Sequence, residues 1–173
     1  MSGRMSARLS LSRRAALSLA LPVLAACSAS LPPSAPSPLL GKSLPEIRRP
    51  TLAHGDLHAA RLRGRPVVVK FFAEYCEPCK RTLGAAQRLS VEHPGVQFVG
   101  VSEDEYQATA EKLVKHHGLT FPVVLDRGHV LQGRFRVREM PVTFIADSAG
   151  VLRWVGGPAQ TEEELADAIA AVR

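Results

Sequence analysis

Three cysteines are all that 173 residues contain, at positions 27, 76 and 79. There is no second Cys-x-x-Cys, so a four-ligand zinc site built around Cys76 and Cys79 lacks the other half of its motif. No apolar run is long enough to cross a bilayer, which needs about 20 residues; the run from Ala15 to Ala26 has twelve. Acids are missing from residues 1–26, where Arg4, Arg8, Arg13 and Arg14 stand. Those four arginines carry most of the formal charge of +6. Without them 18 basic residues face 16 acidic ones, a balance of +2. A chain so balanced has no basic stripe for phosphates, and nucleic-acid binding is set aside. No internal repeat is visible.

What is present begins with an address. Two arginines, a short apolar middle and small residues at the end are the parts of a secretory signal. The ending Leu24-Ala25-Ala26-Cys27 resembles the lipobox of bacterial lipoproteins, which implies a signal over 1–26 and Cys27 as the lipid attachment site. Ser12-Arg13-Arg14 gives only a weak twin-arginine resemblance. Residues 27–41 then form a Pro/Ser-rich stretch without helical or strand period, expected to be an extended, mobile tether. The domain is expected over 42–173, outside the cytoplasm, where a Cys76–Cys79 disulfide can persist.

Within it, Arg65–Ala73 is an apolar, Val- and Phe-rich run suited to a buried strand. Pro78 falls in the first turn of the helix that follows, with Leu83, Ala86 and Leu89 at helical spacing before the His93-Pro94-Gly95 stop. Residues 96–102 read as a second strand. Residues 106–118 form a helix closed by Gly118, and 121–125 a third strand. A short helical piece at 131–135 precedes a hairpin turning at Asp147–Gly150. A last helix has a capping box at Thr161 and Glu164. This order gives an α/β domain with parallel strands followed by an antiparallel pair.

If Cys76 opens the first of these helices, its sulfur meets unpaired N–H groups and the positive end of the helix dipole. Such a setting lowers a thiol pKa from about 8.5 into roughly 3.5–7.5. Cys79 lies one turn on, within disulfide reach and more buried. Cys76 then suits a nucleophile and Cys79 a resolving thiol, with Glu77 and Pro78 fixing the turn.

The segments "LRGRPVVVKFFAEYCEPCK" and "FRVREMPVTFIADSAGVLRWVGG" resemble the thioredoxin fold, and within it the TlpA/ResA-type membrane-anchored thiol–disulfide oxidoreductases; Glu105–Leu125 matches their inserted helix and strand. The resemblance implies a mixed central sheet with helices on both faces and a cis Met140–Pro141 peptide facing Cys76. Met140 would present its backbone to a partner chain. Tyr75 takes the place of the usual tryptophan and shields the sulfurs. The expected function is reduction of disulfides in extracytoplasmic partner proteins, as in cytochrome c maturation or copper-site upkeep. It implies a monomer, a membrane thiol as electron donor, and no cofactor or metal beyond the cysteine pair.

Two positions depart from the pattern: Lys70 stands where thioredoxins carry a buried acid, and Thr82 where ResA-type proteins carry a glutamate. Lys70 is expected to snorkel to solvent; turned toward the thiols it would favour thiolate. Glu74 and Glu77 are expected to be exposed. The Arg134–Arg136–Arg138 alternation reads as a solvated stretch, and Trp154 as core. Other readings remain. One is a Sco-type copper-delivery protein, whose Cys-x₃-Cys is one residue longer and for which His129 is the distant histidine. Others are a peroxiredoxin, whose Pro/Thr pattern is absent, and a disulfide-bearing module without turnover.

Overall fold

A computed structural model describes residues 30–53 and 55–173. Seven strands and four α-helices follow in the order β1 (Arg48–Pro50), β2 (Asp56–His58), β3 (Val67–Phe72), α1 (Glu77–Glu92), β4 (Gln97–Ser102), α2 (Gln107–His117), β5 (Val123–Leu125), α3 (Val130–Arg134), β6 (Val142–Ala146), β7 (Leu152–Gly156) and α4 (Glu162–Ala171). The main sheet runs β5-β4-β3-β6-β7. Strands β3, β4 and β5 are parallel, whereas β6 and β7 run antiparallel to their neighbours.

Strand β3 is the centre of the sheet, and all six of its residues are buried. Strand alternation divides it between two cores. Val68 and Phe72 join Cys79, Leu83, Ala86, Leu165 and Ile169 under α1 and α4. Val67, Val69 and Phe71 meet Leu131, Phe135 and Phe144 on the other face. The helix ends follow their sequences: Gly118 closes α2 in the left-handed region at φ 60°, and both halves of the Thr161/Glu164 capping box form. Trp154 is core, as its apolar setting suggests.

Two features differ from the sequence reading. The hairpin β1–β2 was not foreseen; it is short, and one of its strands carries two arginines and a proline. The expected tether is also not free along its described length. Ala35 N–H donates to Val155 O at 2.7 Å, Gly41 N–H to Leu152 O at 2.8 Å, and Leu44 N–H to Gly150 O at 2.7 Å. Leu152 N–H donates to Lys42 O in return, and the Trp154 indole N–H donates to Pro33 O at 3.1 Å. A prolyl, serine-rich segment has no apolar period, yet it covers a sheet edge with backbone bonds, aided by the Ser34 hydroxyl and by Leu39, Leu40 and Leu44 packed against the core, which is how an exposed edge is protected. The folded unit therefore includes residues well before 42.

Candidate active site

The C-terminal end of β3 feeds directly into a disulfide. Cys76 and Cys79 are joined at 2.09 Å, with Cα atoms 5.2 Å apart. Cys76 is the N-cap of α1, and its sulfur accepts the Cys79 N–H at 3.3 Å. Pro78 occupies the first turn, where its missing N–H leaves no bond unmade. Cys76 is 8 % exposed and Cys79 is fully buried, so Cys76 is the more accessible residue of the pair.

The pairing of Phe71 with Val142 brings the start of β6 level with the end of β3. Met140–Pro141, a cis peptide, therefore lies beside the cysteine loop. Met140 packs partly against both cores. Tyr75 is largely exposed next to Cys76. Its phenol pKa is raised by partial burial and by the negative charges of Glu103 and Asp104. Glu77 and Glu74 are on the surface, as expected, and both pair with Lys80, at 3.4 and 3.2 Å. Cys27 lies outside the described residues.

Lys70 does not snorkel. It is 1 % exposed, on the strand at the middle of the sheet, and its Nζ donates to Thr143 Oγ1 at 3.3 Å. A lysine stem can reach water only from an edge or a rim, and β3 has a strand on each side. Burial lowers the Lys70 pKa to about 8.

A second polar cluster escaped the sequence reading. Glu103, at the end of β4, has a fully buried carboxylate whose Oε2 lies 2.6 Å from His129 Nδ1. Burial raises the Glu103 pKa to about 7, against the His129 hydrogen bond and with the help of Asp126. Its other oxygen has no partner among the described residues. Asp104 next to it accepts the Glu74 N–H at 2.9 Å and the Ser102 hydroxyl at 2.8 Å, bracing the loop before Cys76. The only sequence signal was the acidic run 103–105 placed just after a buried strand.

Among the described residues no three His, Cys, Asp or Glu side chains converge as a metal site. His129, the copper candidate, has its Nδ1 against Glu103. His58 lines a cavity with Leu44, Val67 and Gly150 at the end of the sheet away from the disulfide. Among the described residues no helix is long and apolar enough to cross a membrane.

The family model described as AhpC/TSA matches residues 40–155. The chain belongs to that family. Within it, the protein is similar to thiol-disulfide oxidoreductase ResA of Halalkalibacterium halodurans, 28% identical over 110 residues, or 62% of each chain. It is equally similar, at 28%, to ResA of Bacillus thuringiensis over 129 residues, 73% of this chain and 74% of that one. A crystal structure described as a putative thiol:disulfide interchange protein DsbE from Chlorobium tepidum superposes with a TM-score of 0.71 at 22% identity, over 78% of this chain and 98% of that one. That superposition gives this AhpC/TSA chain a thioredoxin-like fold, as its resemblance implied.

Proposed function

We propose that this chain is an extracytoplasmic thiol–disulfide oxidoreductase that reduces disulfides in partner proteins. The observation that carries the reading is a disulfide at a helix N-terminus, its first cysteine slightly exposed and its second fully buried, beside a cis-proline strand end. In the reduced protein Cys76 is the nucleophile. Its thiolate attacks one sulfur of a partner disulfide, and the other partner sulfur leaves with the electron pair and takes a proton. Cys79 then attacks Cys76, the Cys76–Cys79 bond forms, and the second partner sulfur is released. Two electrons pass to the partner, and the cysteine pair carries them without a further cofactor.

The backbone at Met140–Pro141 offers the partner chain a strand edge beside the sulfurs, with Tyr75 forming part of the same contact. Lipidation at Cys27 holds the protein to a membrane facing the periplasm, and a membrane thiol re-reduces it. The names of the ResA relatives support the chemistry, and the signal-like first segment supports the location.

The test is the reduction potential of the purified protein against dithiothreitol and glutathione buffers, with partner trapping by Cys79→Ala. A potential near or below about −230 mV sets it among reductants, close to thioredoxin at ≈ −270 mV. Cys79→Ala is expected to accumulate mixed disulfides and Cys76→Ser to form none. A potential above about −150 mV overturns the reductive direction. A Cys79→Ala variant that traps no partner overturns turnover altogether.

A further inference from the structure

Lys70 is a buried cation on the face of the sheet that carries the resolving cysteine. On β3 it stands between Val68 and Phe72, which pack in one core with Cys79 and Leu83 of α1. Across the sheet it pairs with Gly100 on β4 and Thr143 on β6. A Cβ at Gly100 would come within 2.9 Å of the Phe72 ring, so the layer beneath the helix is tightly filled. Among the described residues the Nζ makes one hydrogen bond, to the Thr143 hydroxyl, although an ammonium has three protons to donate.

Among the described residues no carboxylate bonds to it on this face. Residues Phe98, Ile145, Leu165, Ala168 and Ile169 are apolar. Asp104, beyond the end of β4, is engaged by Ser102 and by the Glu74 amide, and Glu103 pairs with His129. Lys70's lowered pKa has burial as its cause, with no carboxylate offsetting it. Two thiols enter this core when the disulfide is reduced, those of Cys76 and Cys79, and of the two Cys79 is the fully buried one.

We propose that in the reduced protein the ε-amine of Lys70 and the thiol of Cys79 share one proton, so that Lys70 makes Cys79 available as a thiolate when it closes the disulfide. The proposal rests on the thiol–disulfide exchange reading given above. Amine with thiol and ammonium with thiolate contain the same atoms. In the second form two opposite charges compensate each other in a core where either alone is costly. At resolution the Cys79 sulfur attacks Cys76 of the mixed disulfide and the Cys76–Cys79 bond forms. The partner sulfur leaves with the electron pair and is protonated from solvent. Cys79's former proton stays on Lys70, which passes it to solvent to the extent that its weaker proton affinity in the disulfide form requires. The ammonium favours the dithiol over the disulfide, so the pair is more oxidising than the same pair above an apolar residue.

Two measurements on the purified protein test this. The first is a pH titration of the Lys70 side-chain NMR signals in the disulfide and dithiol forms, which needs no variant. The midpoint is expected near 8 with the disulfide and more than one unit higher in the dithiol form; equal midpoints overturn the proposal. The second is the exchange equilibrium with dithiothreitol from pH 6 to 10, in the wild type and in Lys70→Met. The variant is expected to favour the disulfide at least tenfold more, about 30 mV, and to lose the wild type's inflection near pH 8. Superimposable curves overturn the proposal. Both readouts concern the cysteine pair itself. Partner trapping that fails while Lys70 still responds to the redox state counts against the functional reading alone.

Discussion

The imidazole Nδ1 of His129 lies 2.6 Å from the buried Glu103 carboxylate, at the end of the sheet that carries the cysteines. His129 holds this contact from a left-handed backbone conformation, φ 55°, uncommon for a residue with a side chain. The pair makes stability fall as pH rises. The folded Glu103 pKa, about 7, is above its ordinary 4.5, so between these values the folded chain keeps a proton that the unfolded chain has lost. His129 is raised above 6.5, chiefly by the Glu103 hydrogen bond, and its contribution is present below that value and lost as pH rises through the folded pKa. Urea denaturation of the wild type is therefore expected to show a loss on the order of 2–3 kcal/mol from pH 4.5 to 7.5. Glu103→Gln should flatten most of it, and an equally steep variant would show that the slope arises elsewhere.

Lys70 acts in another pH window with the opposite slope. Its folded pKa of about 8 is below the unfolded 10.5, so between the two the unfolded chain binds more protons and stability rises with pH. Lys70→Met in the disulfide form is expected to be more stable at pH 7 by on the order of 3 kcal/mol. The gain should shrink across pH 8–10.5 and vanish above it. Denaturation at pH 7 and 11 checks this; a variant less stable at pH 7 would mean that the lysine stem packs better than methionine does.

The segment before residue 45 offers a local test. Trp154→Phe removes the indole donor and leaves the Pro33 carbonyl without it. The loss of one such bond weakens docking by about 1 kcal/mol. Trypsin cleavage after Lys42 is expected to speed up about fivefold, because opening is that much more frequent. An unchanged rate would show that the backbone bonds to β7 hold the segment without the indole.

Much of the site could be read in the sequence because its signals are local. A Val- and Phe-rich run, Cys-x-x-Cys, and proline in the first helical turn lie within fifteen residues, and the structure joins them as β3, Cys76 and α1. The cis bond before Pro141 followed from resemblance, since no local physics distinguishes it from a trans turn. Lys70 was misread because its fate depends on which strands flank β3, and strand order is not written in β3. Glu103 and His129 are 26 residues apart, brought together only by the parallel crossover from β4 to β5. The Pro/Ser segment was misread for a different reason. Its pairing draws mostly on main-chain N–H and C=O groups, which every sequence has, with the Ser34 hydroxyl and the Trp154 indole added.

That pairing also gives the molecule a direction. Leu44 bonds beside the β6–β7 turn, while Ala35 and Pro33 reach Val155 and Trp154, near the end of β7 where Gly156 pairs with Thr143. Thr143 lies two residues from the cis-proline, so the chain preceding Pro33 departs from the same end of the sheet as the sulfurs. Between Cys27 and Pro33 there are six residue steps, a span of about 20 Å at most. On the proposal that Cys27 carries a lipid, the reactive sulfur would lie at the end of the sheet from which the chain leaves toward its anchor.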